Sequence, residues 1–330
     1  MSRLRRLRGD PQAFWTTLLA LAFAPGVISW IVVLVRFPGG IGSDASVYTA
    51  AAAAWLHGTD PWAAGPPQAI FAGPPTLFLP YAPFVLLPDI VVRLGWVMLC
   101  AVLAIASVRR LGLQVGWIAF TPLLQAILLG HVEVVVMALL VRGGALSGLA
   151  AVLKPYAALP LLAERRWRAF GVAALAVAIS LPVLPWGQFV SEFGTISANL
   201  ARQSQGDSVF GNPVLMVIAV VALASLGPRR ALWLATPLLW PSAQPTYKAM
   251  TLPVLTPVVA AVWALPVPGA TLAGVIIQAS LERIDRARRL PPLLRAGIEP
   301  IATAERARWA AGAGVPVGVA GATAGAGAPA

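Results

Sequence analysis

Two observations in the sequence predict an all-α integral membrane protein, a polytopic bundle of about ten transmembrane helices. First, 58% of the residues are hydrophobic and only 11% are charged, whereas soluble domains average about a quarter charged residues. Second, apolar runs recur from residue 14 to residue 266, a pattern typical of a chain that crosses a bilayer many times. The mean hydropathy of +0.80 agrees with both observations.

The individual spans follow from the apolar runs, and several are shorter than the roughly 20 residues that cross a bilayer. Short segments interrupted by prolines are typical of helices that line a cavity, and the second segment carries five prolines. The spans are predicted at 13–35, 74–88, 90–108, 112–129, 131–141, 144–162, 169–186, 212–226, 231–243 and 247–266. One bent helix over 74–108 is an alternative to two of them, and 269–280 is a weaker candidate for a membrane-dipping helix.

The basic residues lie in short segments beside the apolar runs. The net charge is +12, and its distribution follows the positive-inside rule for membrane proteins, which excludes a nucleic-acid-binding function. The basic N-terminus, residues 1–12, is therefore expected in the cytoplasm. The first span is expected to be retained, because its apolar run is too long for a signal peptide and lacks a small-residue cleavage site.

This topology divides the chain into three parts. Residues 13–281 form the transmembrane domain, with outer loops over 36–73 and 187–211, and 282–330 form a cytoplasmic basic segment followed by a disordered tail rich in alanine and glycine. The single cysteine, Cys100, excludes a disulfide framework. Two histidines and scattered acids offer no recognisable metal-ligand spacing, so neither a metal nor a cofactor is expected.

Asp44 follows a glycine-rich turn in the first outer loop and opens a predicted helix. With Ser43 as N-cap, Asp44 lies in the first helical turn, where the helix dipole favours a carboxylate; this explanation requires no function. The helix carries Tyr48 and Trp55 and is expected to end at Gly58. It is too short and too rich in alanine to span, so we expect an interfacial helix along the outer membrane surface.

Five segments in chain order resemble glycosyltransferase family 87, a family of integral-membrane enzymes of the glycosyltransferase-C superfamily. They are SDASVYTAAAAAWLHGTDPW with AGPPTLFLPYAPFVLLP, then LLGHVEVVVMALL, GALSGLAAVLKPYAALPLLAERRWRAF, FGNPVLM and PLLWPSAQPTYKAM. The resemblance covers roughly residues 40–260. Gly73 replaces the tyrosine of the family's Y-P-P element, and G-H-V-E replaces its G-Q-x-N.

The resemblance implies a mannosyltransferase that depends on polyprenyl-phosphate mannose. Such an enzyme would be a multi-pass protein of the bacterial plasma membrane whose active site faces outward. It would move a hexose, with inversion, from the polyprenyl phosphate to a lipid or glycan acceptor. Asp44 matches the family's aspartate and would be the general base, and one carboxylate suffices for inversion at this centre. Asp60 is the alternative acid, although the turn GTDPW explains it without function.

The leaving phosphate requires cations, and the sequence lacks a nucleotide-binding glycine loop, which is consistent with a lipid donor. The candidates are Lys154, Lys248, His131 and Arg202, with Arg93 a further cation. Each of these four phosphate-binding candidates also has an explanation that requires no function. A hairpin turning at 142–143 would bring Lys154 level with Glu133 and form a structural ion pair. His131 could cap a helix, Lys248 could snorkel and Arg202 could be a solvated surface residue.

The candidate substrate contacts are Tyr48, Trp55, Trp62, Asn212 and Tyr247. The aromatic residues could stack on sugar rings, but an interfacial aromatic belt is the more common explanation. Asn212 and Tyr247 are candidates through the resemblance alone.

Two other functions fit the composition. A transporter or lipid flippase would usually show two halves related by an internal repeat, and no repeat is visible in the sequence. A non-catalytic subunit of other membrane enzymes is the second, because AGPP and GHVE depart from the family's pattern. The long outer loop that carries Asp44 favours the transferase.

Overall fold

The computed structural model of the protein describes residues 11–64, 71–203, 208–241, 243–287 and 290–301. Within these ranges every regular element is a helix and no strand occurs, which confirms the all-α prediction. Most of the predicted basic N-terminus and the alanine- and glycine-rich tail lie outside the described residues, as do short parts of both outer loops.

The α-helices are numbered here in chain order. They are α1 Pro11–Arg36, α2 Ser43–Leu56, α3 Asp89–Arg110, α4 Thr121–Leu128, α5 Glu133–Arg142, α6 Gly148–Leu153, α7 Ala158–Ala163, α8 Trp167–Ser180, α9 Trp186–Ser191, α10 Phe193–Gln203, α11 Pro213–Ser225, α12 Pro228–Leu239, α13 Pro257–Trp263, α14 Ala270–Arg286 and α15 Pro292–Ile298. The 3-10 segments between them are Pro38–Gly40, Pro75–Phe78, Ala82–Phe84, Val115–Ala119, Ala145–Ser147, Pro155–Ala157 and Pro245–Val254.

Two helices of the described chain are long and apolar enough to cross a membrane, where ten spans were predicted. They are Ala13–Arg36 within α1 and the whole of α3, and they coincide with the predicted spans 13–35 and 90–108. Helices α4 and α5 would form a third span together, although they are bent by 116° where they meet. Helices α8 and α11 are apolar but shorter. The helices are therefore compatible with a membrane location.

Proline explains why several predicted spans are broken. Residues 74–88 form short 3-10 turns instead of one helix, because each of their five prolines lacks an N–H donor. The predicted span 144–162 is divided at Lys154, since the residue before a proline is disfavoured in the helical conformation and Pro155 follows. The predicted span 247–266 likewise consists of the 3-10 segment Pro245–Val254 and helix α13.

The two predicted outer loops contact each other. The Gln188 side chain at the start of α9 donates to Asp60 Oδ1 at 3.1 Å, and the rings of Phe189 and Trp62 lie 5.7 Å apart. Ile196 of α10 is buried in the same apolar cluster as the alanine-rich face of α2. Both loops therefore cover one end of the bundle.

Three basic segments of the chain, 164–168, 228–230 and 282–287, lie together. Arg229 forms an ion pair with Glu164 at 2.5 Å, and Arg230 pairs with Glu282. They lie near the start of α12, where Arg229, Arg230 and Glu282 line a cavity of about 510 Å³. This cluster of basic segments is separate from the end that the outer loops cover.

Helices α6 and α8 pack closely because residue 148 is a glycine. A Cβ atom built on Gly148 would lie 2.0 Å from the carbonyl oxygen of Ala169. Gly171, also on α8, has open space where its Cβ would be. The two glycines therefore differ in packing although both lie in this helix pair.

We expect Gly148→Ala to destabilise the protein by about 1–3 kcal/mol, because the added methyl group would separate α6 from α8. The matched control Gly171→Ala should leave stability unchanged or raise it by up to about 1 kcal/mol. Thermal unfolding of both variants in detergent measures the difference. Equal melting temperatures for the two variants would contradict this packing.

Candidate functional site

Asp44 lies in the first turn of α2, as predicted, and the backbone around it is joined to another helix. Gly42 precedes the helix with φ +65° and is its N-cap in place of the predicted Ser43. The N–H groups of Gly42 and Asp44 donate to the carbonyl oxygens of Leu128 and Leu129, at 2.8 and 3.1 Å. The start of α2 is therefore held against the end of α4.

Arg93 of α3 holds the turn that leads into α2. Its Nε donates to the Ile41 carbonyl at 2.7 Å, and its Nη2 donates to the Gly39 carbonyl. Asp89, one turn earlier on α3, pairs with Arg93 at 3.5 Å and accepts a hydrogen bond of 2.5 Å from Ser46 on α2. Arg93 thus binds the backbone beside Asp44, and the contacts described for it are structural.

His131 lies in the break between α4 and α5 and contacts Asp44. Its Nε2 is 3.4 Å from Asp44 Oδ2, and its side chain is almost fully buried. Its Nδ1 accepts the backbone N–H of Glu133 at 3.2 Å. In the neutral imidazole the proton is therefore assigned to Nε2, the nitrogen that faces the carboxylate. Gln244 lies within side-chain hydrogen-bonding range of the same ring.

Glu133 and Lys154 form the buried ion pair that the hairpin model predicted, which confirms that prediction. Lys154 Nζ is 3.9 Å from Glu133 Oε1, and the same oxygen accepts a hydrogen bond from the Tyr156 hydroxyl. The Lys154 ammonium also lies over two aromatic rings, 5.8 Å from the centre of Tyr48 and 5.9 Å from that of Tyr247. Cation–π contacts of this kind stabilise a desolvated ammonium.

Tyrosines and a tryptophan surround these charged groups. Tyr48 lies between Tyr81 and His131, with ring centres 5.0 and 6.3 Å away. Tyr81 stacks on Trp96 at 4.2 Å. On the other side, Tyr247 packs against His131 at 6.2 Å and against Tyr156 at 4.9 Å. The aromatic rings exclude water from the buried side of the site.

The pKa of Asp44 is raised by its surroundings. Burial raises it from the ordinary 3.8 to about 7, while the charge of Lys154 lowers it and that of Glu133 raises it. The side chain nevertheless keeps 28% of its surface exposed, so a hydroxyl group can reach it. A carboxylate with a pKa near 7 has the base strength that general-base catalysis at neutral pH requires.

The site lies where several helices are interrupted. Asp44 is two residues after the left-handed Gly42, and His131 follows Gly130, which has φ +66° and lies two residues beyond the end of α4. Lys154 is the extended residue between α6 and the next 3-10 turn, and Tyr247 lies in the 3-10 segment that begins at Pro245. Non-helical backbone at membrane depth is tolerated where it is buried in protein or lines a cavity, which is the arrangement expected of a site.

The structure thus brings together five of the predicted site residues, Asp44, Tyr48, His131, Lys154 and Tyr247. Glu133 was predicted only as a structural partner of Lys154, and the sequence did not predict Tyr81, Trp96, Tyr156 or Gln244 as site residues. The one available signal was proximity in sequence, because Tyr156 is two residues after Lys154 and Gln244 is three before Tyr247.

For three of the predicted residues, the described contacts lie outside the cluster around Asp44. Trp62 is buried, and its indole N–H donates to the Gly73 carbonyl at 3.0 Å. Asn212 is the N-cap of α11, and its side-chain oxygen accepts from the backbone N–H of Leu215 at 3.1 Å. Lys248 is buried with Nζ 6.0 Å from the Trp263 ring.

The remaining predicted residues lie in or against the outer loops. Trp55 is half-buried and stacks on Phe78 at 5.8 Å. Arg202 is in the last turn of α10, and its side chain lies outside the described residues. Asp60, the alternative acid, accepts the Trp62 backbone N–H at 2.9 Å as well as the Gln188 amide. These contacts give Asp60 a structural role in and beside the GTDPW turn.

The described residues contain no group of three His, Cys, Asp or Glu side chains arranged to hold a metal ion. Comparison with protein-family models, with curated proteins and with solved structures finds no match to this chain.

The raised pKa of Asp44 predicts how stability depends on pH. Between the unfolded pKa of 3.8 and the folded pKa of about 7, the folded protein holds a proton that the unfolded chain has lost. The free energy of unfolding therefore falls as the pH rises through that range. Asp44→Asn removes the titration, so its melting temperature relative to wild type should rise between about pH 5 and about pH 8, by the equivalent of about 3 kcal/mol.

Thermal unfolding in detergent at these two pH values measures this difference. Asp60→Asn, which removes a carboxyl group but leaves Asp44 in place, is the matched control. A difference between Asp44→Asn and wild type that does not change with pH would contradict the raised pKa.

Proposed function

We propose that the protein is a membrane glycosyltransferase in which Asp44 is the general base. It would move a hexose, with mannose the expected sugar, from a polyprenyl phosphate to a hydroxyl of a lipid or glycan acceptor. The observation that carries the proposal is the Asp44 carboxylate itself. It is partly exposed, has a pKa of about 7, and lies beside the His131 imidazole, whose other ring nitrogen is 3.9 Å from the Glu133 carboxylate of the ion pair.

The reaction needs one base and one cation. The acceptor oxygen would attack the anomeric carbon and pass its proton to Asp44, while the bond from that carbon to the phosphate oxygen breaks. The phosphate leaves with the bonding electrons, and the configuration at carbon inverts because attack and departure are on opposite faces. No second carboxylate is required for this displacement.

Lys154 is the best-placed cation for the leaving phosphate. Its separation of 3.9 Å from Glu133 Oε1 is longer than a hydrogen bond, and an ammonium has three donors. The ion pair and phosphate binding are therefore compatible. Glu133 would hold the ammonium near the site, and the faces of Tyr48 and Tyr247 would keep it charged away from bulk water.

The proposed setting is the plasma membrane, crossed several times, with the site on the outer side. The candidate spans α1 and α3 and the broken pair α4–α5 support a membrane location. Helix α12 begins at the cluster of basic segments and ends near Trp240, whose ring is 5.1 Å from Tyr156 of the site. Basic segments favour the cytoplasmic side, so the position of the site at the opposite end of α12 supports an outward-facing site.

A transporter is the second candidate, because a buried ion pair beside interrupted helices is also typical of transport proteins. The partly exposed Asp44 at the start of α2, covered by the outer loops, fits chemistry at a membrane surface better than passage through a bundle. The two functions differ in a direct test, since a transporter would leave the donor unchanged.

We expect Asp44→Asn to reduce consumption of polyprenyl-phosphate mannose by at least about 100-fold, because the amide cannot accept the acceptor's proton. The purified protein would be supplied with the donor and a crude lipid and glycan extract. Donor binding, measured by the thermal shift that polyprenyl phosphate produces, should be retained. The matched control Asp60→Asn should consume donor at close to the wild-type rate.

Equal turnover by Asp44→Asn and wild type would contradict the role of Asp44. If wild type consumes none of several polyprenyl-phosphate sugars, the transferase proposal fails. Transport of the same lipids in proteoliposomes would then be the next measurement.

A further inference from the structure

The contacts of His131 are more specific than packing requires. One ring nitrogen, Nδ1, accepts the Glu133 backbone N–H at 3.2 Å, and the other, Nε2, is 3.4 Å from Asp44 Oδ2. The ring is buried between Tyr48 and Tyr247, and its backbone carbonyl accepts from the Cys100 thiol at 3.7 Å. Nδ1 also lies 3.9 Å from Glu133 Oε1, and the Gln244 side chain is within hydrogen-bonding range of the ring.

We infer that His131 is a positioning residue which, as the neutral Nε2–H tautomer, donates to Asp44 Oδ2 and leaves Oδ1 to receive the proton of the acceptor hydroxyl. The contact between the two side chains is read from the structure alone, whereas the role of Oδ1 rests on the proposed function. Hydrogen bonds of catalytic groups are often long before the substrate binds, so 3.4 Å is compatible with a bond that shortens in the complex.

The same geometry argues against His131 as a proton relay. To carry a proton from Asp44 onward, the imidazole would need protons on both nitrogens. A proton on Nδ1 would face the N–H of Glu133, which already points at Nδ1 at 3.2 Å, whereas the Glu133 carboxylate oxygen Oε1 is 3.9 Å from Nδ1 and beyond hydrogen-bonding distance. The proton taken from the acceptor would therefore stay on Asp44 and leave to solvent through its exposed surface.

The effect of His131 on Asp44 must be separated from that of other charged groups. Lys154 and Glu133 influence the Asp44 carboxyl most directly, and α3 contributes Asp89 and Arg93 beside the start of α2. The other titratable groups that interact electrostatically with Asp44 are Tyr48, Tyr81 and Cys100. The variants below leave all of these residues in place.

Two substitutions of His131 test its two contacts separately. His131→Asn has an amide oxygen near the position of Nδ1, so it can still accept the Glu133 N–H but cannot reach Asp44. His131→Gln is longer, and its amide N–H₂ can occupy the position of Nε2 and donate to the carboxylate. A role in packing alone would not distinguish these variants in this direction.

The test is the infrared titration of the Asp44 carboxyl group, identified as the protonated-acid band that Asp44→Asn removes. We expect His131→Asn to raise the Asp44 pKa by about one unit, because the ionised carboxylate loses a hydrogen bond. His131→Gln should return the pKa close to the wild-type value. In donor consumption, the acidic limb of the pH profile should move with the pKa.

A second measurement needs no substitution at the site. The chain has two histidines, and the exposed His57 can be replaced by glutamine to leave His131 alone. Nitrogen-15 NMR of His57→Gln, labelled at histidine and purified without a histidine tag, should show the neutral Nε2–H tautomer across the neutral pH range. The Nδ1–H tautomer or a charged imidazolium there would overturn the inference.

The remaining outcomes are equally decisive. An unchanged Asp44 pKa in His131→Asn, or the same rise in both variants, would overturn the assignment of a donor to Asp44. If both infrared and NMR results are as expected while wild type consumes no donor, the contact stands and the proposed function fails.

Discussion

The buried ion pair of Glu133 and Lys154 is the interaction on which the rest of the site depends. An unpaired charge in this position would cost several kcal/mol, whereas a pair is tolerated when further polar contacts accompany it. Those contacts are the Tyr156 hydroxyl on the carboxylate and the faces of Tyr48 and Tyr247 on the ammonium. Because the pair brings α5 and α6 together, it also fixes the position of the His131 break next to Asp44.

The breaks between helices bring the side chains of the site together. Continuous helices would present side chains along their faces, whereas a break allows the chain to turn a residue inward and frees backbone donors and acceptors. The breaks in this protein satisfy one another: the N–H groups at the start of α2 bind the last carbonyls of α4. A site built this way combines stability with a partly hydrated carboxylate whose raised pKa reduces stability at neutral pH, a common cost of function.

The sequence predicts much of this arrangement, for physical reasons that differ between elements. The all-α class follows from apolar runs, and the Glu133–Lys154 pair follows from helical rise on the two arms of a hairpin. The contact between His131 and Asp44 spans 87 residues and depends on the 116° bend between α4 and α5, which periodicity does not encode. Likewise, composition predicted ten spans, but local proline geometry divided several of them into short turns.

The central claim is that the Asp44 carboxylate is the base of a sugar transfer, and the pH dependence of donor consumption by the wild-type protein tests it most directly. The account predicts a rate that rises with pH as Asp44 ionises and is half-maximal near the Asp44 pKa of about 7. A rate that does not change between about pH 5 and about pH 8, with chemistry shown to be rate-limiting, would contradict it.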